Sequence, residues 1–202
     1  MNILKYALSK YPIIVSLIDS ADLDKALRAE SGIIILIQAD INTLADIANK
    51  IKDTEKLIFV HMDLIKGLKR DPSGIQFLAD HIGIDGIVTT HGNLIQSAKK
   101  FNLLTIQRVF ILDSASIRQG IKSIQDSRPD AVEILPGIAV PHIKEEVQIN
   151  IKPLVIAAGL INTEDEIINV LKNGAQGVSS SSTDVWNVSS IINDKLIKNS
   201  TH

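Results

Sequence analysis

The stretch LVIAAGLINTEDEIINVLKNGAQGVSSSSTDVW, running from Leu154 to Trp186, decides the fold. It opens on a short apolar run, Leu154 to Ala157, and reaches a second at Gly177 to Ser179. One helical segment lies between them. Thr163 and Glu166 stand at the spacing of a capping box, in which each side chain satisfies a free backbone amide. Ile167, Ile168 and Leu171 supply an apolar face, and Gly174 suits the left-handed helix end. A strand, a helix and a strand in this order form a crossover, so the two strands are parallel.

Six further runs precede this unit: Ile13 to Ile18, Ile33 to Ile37, Leu57 to Val60, Gly86 to Thr89, Leu103 to Gln107 and Ala131 to Leu135. They are nearly all apolar rather than alternating, as strands covered on both faces are. Helical spacing recurs between them. Ile41, Leu44, Ala45, Ala48 and Ile51 share one face, and Ile117, Ile121 and Ile124 another. Eight such units predict closure into a small TIM-like (β/α)8 barrel of parallel strands. Such barrels usually take about 250 residues, so 202 residues require short connections. An open doubly wound sheet would show a Gly-rich turn after its first strand; here Asp19, Ser20 and Ala21 follow. With no linker or low-complexity stretch, residues 1–202 read as one domain with a core over about 12–192 and a frayed tail after Leu196.

Composition narrows the function. Hydrophobic residues make up 45% and charged residues 22%, which is globular, and aromatic residues only 3%, so aliphatic side chains must build the core. A net charge of -2 does not announce a nucleic-acid protein, whose affinity leans on neutralised phosphates. A nucleic-acid partner would need a local basic face or an oligomer. The chain has no cysteine, which excludes disulfides and thiolate chemistry and agrees with a cytoplasmic location. The apolar run after Lys5 and Lys10 is too short to span a bilayer and reads as a first strand.

In a barrel of this kind, function gathers on the loops that follow the strands. The seventh run ends in Gly159, where backbone amides can approach an anion closely, and the eighth continues into Ser179, Ser180 and Ser181, which add hydroxyl donors. A helix is expected next, through Val185 and Trp186, with its free amides turned the same way. These two loops predict a phosphate site; a plain turn with a serine-rich cap is the alternative.

His61 and Asp63 end the third run on what should be one side of a strand, a pair suited to ligand hydroxyls or proton transfer. Two groups are too few for a metal signature, and no metal or cofactor is expected. The fifth strand carries Gln107 and Arg108 toward the mouth, and Arg108 suits an anion, or an ion pair with Glu133. Glu133 is a lone carboxylate within the sixth run and needs a partner or a task, whether as general base, hydroxyl acceptor or partner of Arg108. Lys66, Lys69, Arg70 and Lys144 fall in loops expected on the same face, whereas Lys99 and Lys100 belong to the opposite one. The group around Lys69 is the patch nominated for RNA, with a solvated surface as the alternative.

Several segments, taken in order, resemble one family. They are His61-Met-Asp-Leu-Ile-Lys-Gly67, Asp85-Gly-Ile-Val-Thr-Thr90, Leu103-Leu-Thr-Ile-Gln-Arg108, Val132-Glu-Ile-Leu-Pro-Gly137, Ala158-Gly-Leu-Ile161 and Asn173-Gly-Ala-Gln-Gly-Val-Ser179 through Trp186. Together, over about residues 12 to 187, they resemble the glycerol uptake operon antiterminator family. The serine run after the eighth strand stands where that family tends to threonines, and Gln38-Ala-Asp40 stands where a glycine precedes the aspartate.

The resemblance implies a cytoplasmic regulator rather than an enzyme. It would respond to glycerol 3-phosphate and act on the leader mRNA of a glycerol-metabolism operon, preventing premature termination. Gly159, Ser179, Ser180, Ser181, Arg108, His61, Asp63 and Glu133 are then the expected effector contacts. A homodimer would enlarge the RNA surface. Without the resemblance, the same barrel would suit an enzyme acting on phosphosugars with Glu133 or His61 as general base. No lysine is plainly placed in a strand for Schiff-base chemistry; Lys66 and Lys152 sit at loop or strand-start positions.

Overall fold

The computed structural model describes residues 3–199. All eight expected strands form and close a parallel barrel in chain order, the last pairing with the first. They are β1 (Ile13–Leu17), β2 (Ile33–Leu36), β3 (Leu57–His61), β4 (Gly86–Thr89), β5 (Leu104–Phe110), β6 (Ala131–Leu135), β7 (Leu154–Ala158) and β8 (Gly177–Ser180). Around them lie α1 (Ile3–Lys10), α2 (Leu23–Arg28), α3 (Ile41–Lys52), α4 (Pro72–Phe77), α5 (Gly92–Lys99), α6 (Ser114–Ser127), α7 (Lys144–Asn150), α8 (Glu164–Lys172) and α9 (Ser189–Asn199). β5 runs past Gln107 to Phe110 and carries Arg108, as expected.

Two apolar clusters explain why the runs do not alternate. Ile14, Ile35, Phe59, Val88, Ile106 and Ile156 pack together inside the barrel. Their neighbours Val15, Ile34, Val60, Val132 and Val155 pack outward with helix residues such as Leu44, Ile51 and Ile167. Each strand buries both faces, and every large aliphatic side chain buried this way contributes about 1.5–3 kcal/mol.

One element was not expected. Residues ahead of the first run form α1, whose Leu4 and Leu8 are buried in the interior cluster. The helix closes the end of the barrel where the strands begin. Gly177 makes room for it, because a Cβ there would lie 2.7 Å from Leu8 Cδ2.

Helix ends follow the sequence signals. Glu166 N–H donates to Thr163 Oγ1 at 3.3 Å, and Thr163 N–H donates to Glu166 Oε2 at 3.1 Å. Gly174 follows the helix end at φ 113. The helix expected after β8 is reduced to one 3-10 turn, Thr183–Val185. Trp186 comes next and is pinned instead, with its indole N–H donating to Ser180 O at 2.8 Å. At the C-terminus α9 stays helical to Asn199, past the expected fraying point at Leu196. The rest of that tail lies outside the described residues.

Candidate functional site

Five inward-facing positions near the carboxyl ends of the strands are polar in an otherwise apolar barrel: Ser16, His61, Arg108, Glu133 and Ser179. They lie at one mouth. β5 and β6 pair Arg108 with Glu133 in register, and Arg108 Nε donates to Glu133 Oε2 at 2.6 Å. Glu133 is fully buried, and its other oxygen, Oε1, has no partner among the described residues.

His61 is buried as well, and among the described residues neither ring nitrogen has a partner. Burial and the Arg108 cation push its pKa down to about 4; Asp63 and Glu133 pull back only in part. The imidazole is therefore neutral at pH 7. Folded proteins satisfy nearly all buried polar atoms, so three orphaned atoms at one barrel mouth make it the candidate site for a polar ligand.

Ser179 also points inward, and its hydroxyl lies 2.6 Å from that of Ser16. Sequence reasoning did not single out Ser16; its only signal was a hydroxyl at an inward position of an apolar run. The other serines divide. Ser180 Oγ accepts from Ser182 N–H at 3.2 Å and buttresses the loop from the outer side, while Ser181 is exposed at the rim. Beside them the chain turns at Gly159, φ 79, and Leu160, φ 58. This left-handed turn is natural for glycine and costs a branched residue strain. Gly159 O is held by Gly137 N–H at 3.1 Å, which ties the loop after β7 to the loop after β6.

Asp63 has a different setting from the one alternation implied. The strand stops at His61, and Leu64 N–H closes a turn onto His61 O at 3.0 Å. That turn sends Asp63 to the end of β4. There it accepts from Thr89 Oγ1 at 2.6 Å, Thr90 N–H at 2.8 Å and Thr90 Oγ1 at 3.0 Å. Burial alone would raise its carboxyl, but these bonds outweigh burial and hold it below the usual range. Asp63 organises the mouth, and Thr89 and Thr90 are the partners that sequence reasoning missed.

The four nominated cations stand apart from the mouth's centre. Lys66 is exposed on a loop whose backbone bonds to the loop after β2, through Lys66 N–H to Ala39 O and Ile41 N–H to Lys66 O. Lys69 lies 3.0 Å from Asp71, which offsets its charge, and Arg70 is exposed. Lys144 opens α7 and is half-buried. Among the described residues no group of three or more His, Asp or Glu side chains is placed to hold a metal, and no helix is long and apolar enough to cross a membrane. No lysine lies on any of the eight strands.

The chain resembles known proteins in sequence and in fold. Residues 13–186 match the model of the glycerol-3-phosphate responsive antiterminator family. The chain is similar to the glycerol uptake operon antiterminator regulatory protein of Listeria monocytogenes, with 33% identity, a TM-score of 0.81, and coverage of 86% of this chain and 94% of that one. It is also similar to a glycerol uptake operon antiterminator-related protein of Thermotoga maritima, at 32% identity, a TM-score of 0.78, and coverage of 87% and 98%. The Escherichia coli K12 protein YgcP is 33% identical over 183 residues, 91% of this chain and 95% of that protein. A deoxyribose-phosphate aldolase from Coccidioides immitis, at 11% identity and a TM-score of 0.67, shares the fold alone.

Proposed function

The chain belongs to the glycerol-3-phosphate responsive antiterminator family, and from that premise we propose that the barrel mouth receives glycerol 3-phosphate and reports its occupancy to a leader mRNA. The observation that carries this reading is the group of orphaned buried atoms, His61 Nδ1 and Nε2 with Glu133 Oε1. A neutral imidazole donates from one nitrogen and accepts at the other, and a carboxylate oxygen accepts. Together they match the hydroxyls of a glycerol backbone.

The phosphate, at roughly −1.5 to −2 charge, is assigned to the turn at Gly159 and to the hydroxyls of Ser179 and Ser181; Ser180, whose hydroxyl faces the outer side, supports the loop instead. Arg108 uses Nε for Glu133, so its outer guanidinium nitrogens are the cation for the phosphate side. Asp63 supports His61 indirectly by fixing the end of β4. In this reading the pocket is a sensor, and the fold it shares with aldolases carries no Schiff-base lysine on a strand.

A ligand shifts activity only by binding the active state better. The test is transcription through the terminator of a glycerol-operon leader in a purified system. Read-through should rise with glycerol 3-phosphate in the presence of the protein and stay flat with glycerol. Read-through unaffected by the protein would overturn the RNA output. Turnover of a triose phosphate, lost in Glu133→Gln, would replace the sensor with an enzyme.

A further inference from the structure

We propose that the groove between α6 and α7 is the track on which the RNA backbone lies, an inference that rests on the RNA output proposed above. Two cavities, of about 490 Å³ and about 640 Å³, line this flank of the barrel and share Gln125 and Asn150. They follow one another along the flank of α6, from its start to the loop beyond its end, as one channel in this proposal. α6 has 14 residues, so the channel is about 21 Å long at 1.5 Å per residue.

The charge of the channel is the reverse of the chain's. Arg118, Lys122, Arg128 and Lys152 line it, against Glu146 as its single carboxylate. The whole chain carries -2. All four cations are exposed, and among the described residues none makes an ion pair. Arg118 and Lys122 sit four apart on one helix face. By comparison, the loop at Lys66 to Arg70 has one of its three cations neutralised by Asp71. A concentrated row of unpaired cations, with the side-chain amides of Gln125 and Asn150 between them, fits a polyanion with polar groups along its length.

The groove also has a physical link to the mouth. α6 leads off from β5, which carries Arg108, and α7 follows β6, which carries Glu133. The ion pair therefore joins the two strands whose helices wall the groove. A small void lined by Val109, Ile121, Ile134 and Ile143 lies between those strands and helices. A ligand that bonds both members of the pair would shift β5 against β6, and with them α6 against α7, at the place where the RNA lies.

The test uses full-length protein, with a labelled twenty-nucleotide oligouridine and a labelled RNA hairpin as probes. R118A/K122A should weaken binding about tenfold at moderate salt and make the salt slope shallower by about 1.4, from two lost contacts at about 0.7 each on a single strand. R128A/K152A should do the same. R118K/K122R should restore binding, and K69A/R70A should change it less than twofold. The thermal shift with glycerol 3-phosphate should be unchanged in the groove variants, which confirms intact folding. Wild-type binding with groove variants equal to wild type overturns the groove alone. Failure of wild type to bind either probe overturns both the groove and the RNA reading beneath it.

Discussion

Arg108 Nε donates to Glu133 Oε2 at 2.6 Å across two neighbouring strands, and among the described residues Glu133 keeps its second oxygen unpartnered in a fully buried position. This relationship combines a structural demand with an unmet one. The pair gives a buried carboxyl its cation, and the free oxygen leaves room for a hydroxyl donor.

Breaking the pair on one side should be costly. Arg108→Ala leaves the Glu133 charge buried alone, and losses from such stranded charges run to about 3–5 kcal/mol. Urea denaturation will show this as a lower midpoint. The double variant Arg108→Met, Glu133→Leu should recover most of that stability, because an apolar pair needs no charge partner. It should not bind glycerol 3-phosphate. Recovery of stability together with ligand binding would contradict the assigned role.

Acid should destabilise the protein in two stages. The folded-state pKa of His61 is depressed from 6.5 to about 4, so the unfolded state takes up the proton first. Its contribution is present above pH 6.5 and is lost as pH falls from 6.5 to about 4. The depression corresponds to about 3 kcal/mol at 1.36 kcal/mol per unit. Asp63 is also depressed, so its contribution is present above its unfolded value of 3.8 and fades only below that. His61→Gln should flatten the stability profile between pH 6.5 and 4 and leave the decline below it. An unchanged profile between those values would show that His61 is not buried neutral.

The parts of the mouth differ in how far the sequence announces them. Strands buried on both faces write themselves as unbroken apolar runs, so the barrel was legible, and with it which loops follow β7 and β8. α1 was not, because eight residues beside a strong strand give periodicity too short a window, although Leu4 and Leu8 carry the i, i+4 spacing. Asp63 was placed by strand alternation, but the chain turns at Met62 with neither Gly nor Pro to signal it. Its threonine partners come from another strand, a proximity that only the closed barrel creates. Ser16 looks like a tolerated small residue until β8 brings Ser179 against it.

Asp63→Ala should destabilise by about 2–3 kcal/mol, since a charged acceptor of three hydrogen bonds is removed and the buried Thr89 hydroxyl loses its acceptor. Asp63→Asn should cost less, because its one amide oxygen still accepts. Equilibrium unfolding of the two variants side by side checks this, and equal losses would mean that the carboxylate's bonds contribute little.

Gly177→Ala should force Leu8 to move, because the new Cβ would lie 2.7 Å from it. Overpacking of this kind costs about 1–3 kcal/mol. Adding Leu8→Ala should relieve that clash, so the double variant should be more stable than the two single losses predict. Strict additivity in a double-mutant cycle would detach α1 from its assigned place as the barrel's plug.

The central claim, a glycerol 3-phosphate site at the mouth, is tested most directly by thermal shift with glycerol 3-phosphate, glycerol and inorganic phosphate side by side. At a hundredfold excess over Kd a ligand stabilises by about 2.7 kcal/mol, or about 5–10 °C for a chain of this size. That shift is expected for glycerol 3-phosphate, with a much smaller one for the other two and its loss in Glu133→Ala. Equal shifts for all three compounds, or a full shift in Glu133→Ala, would contradict it.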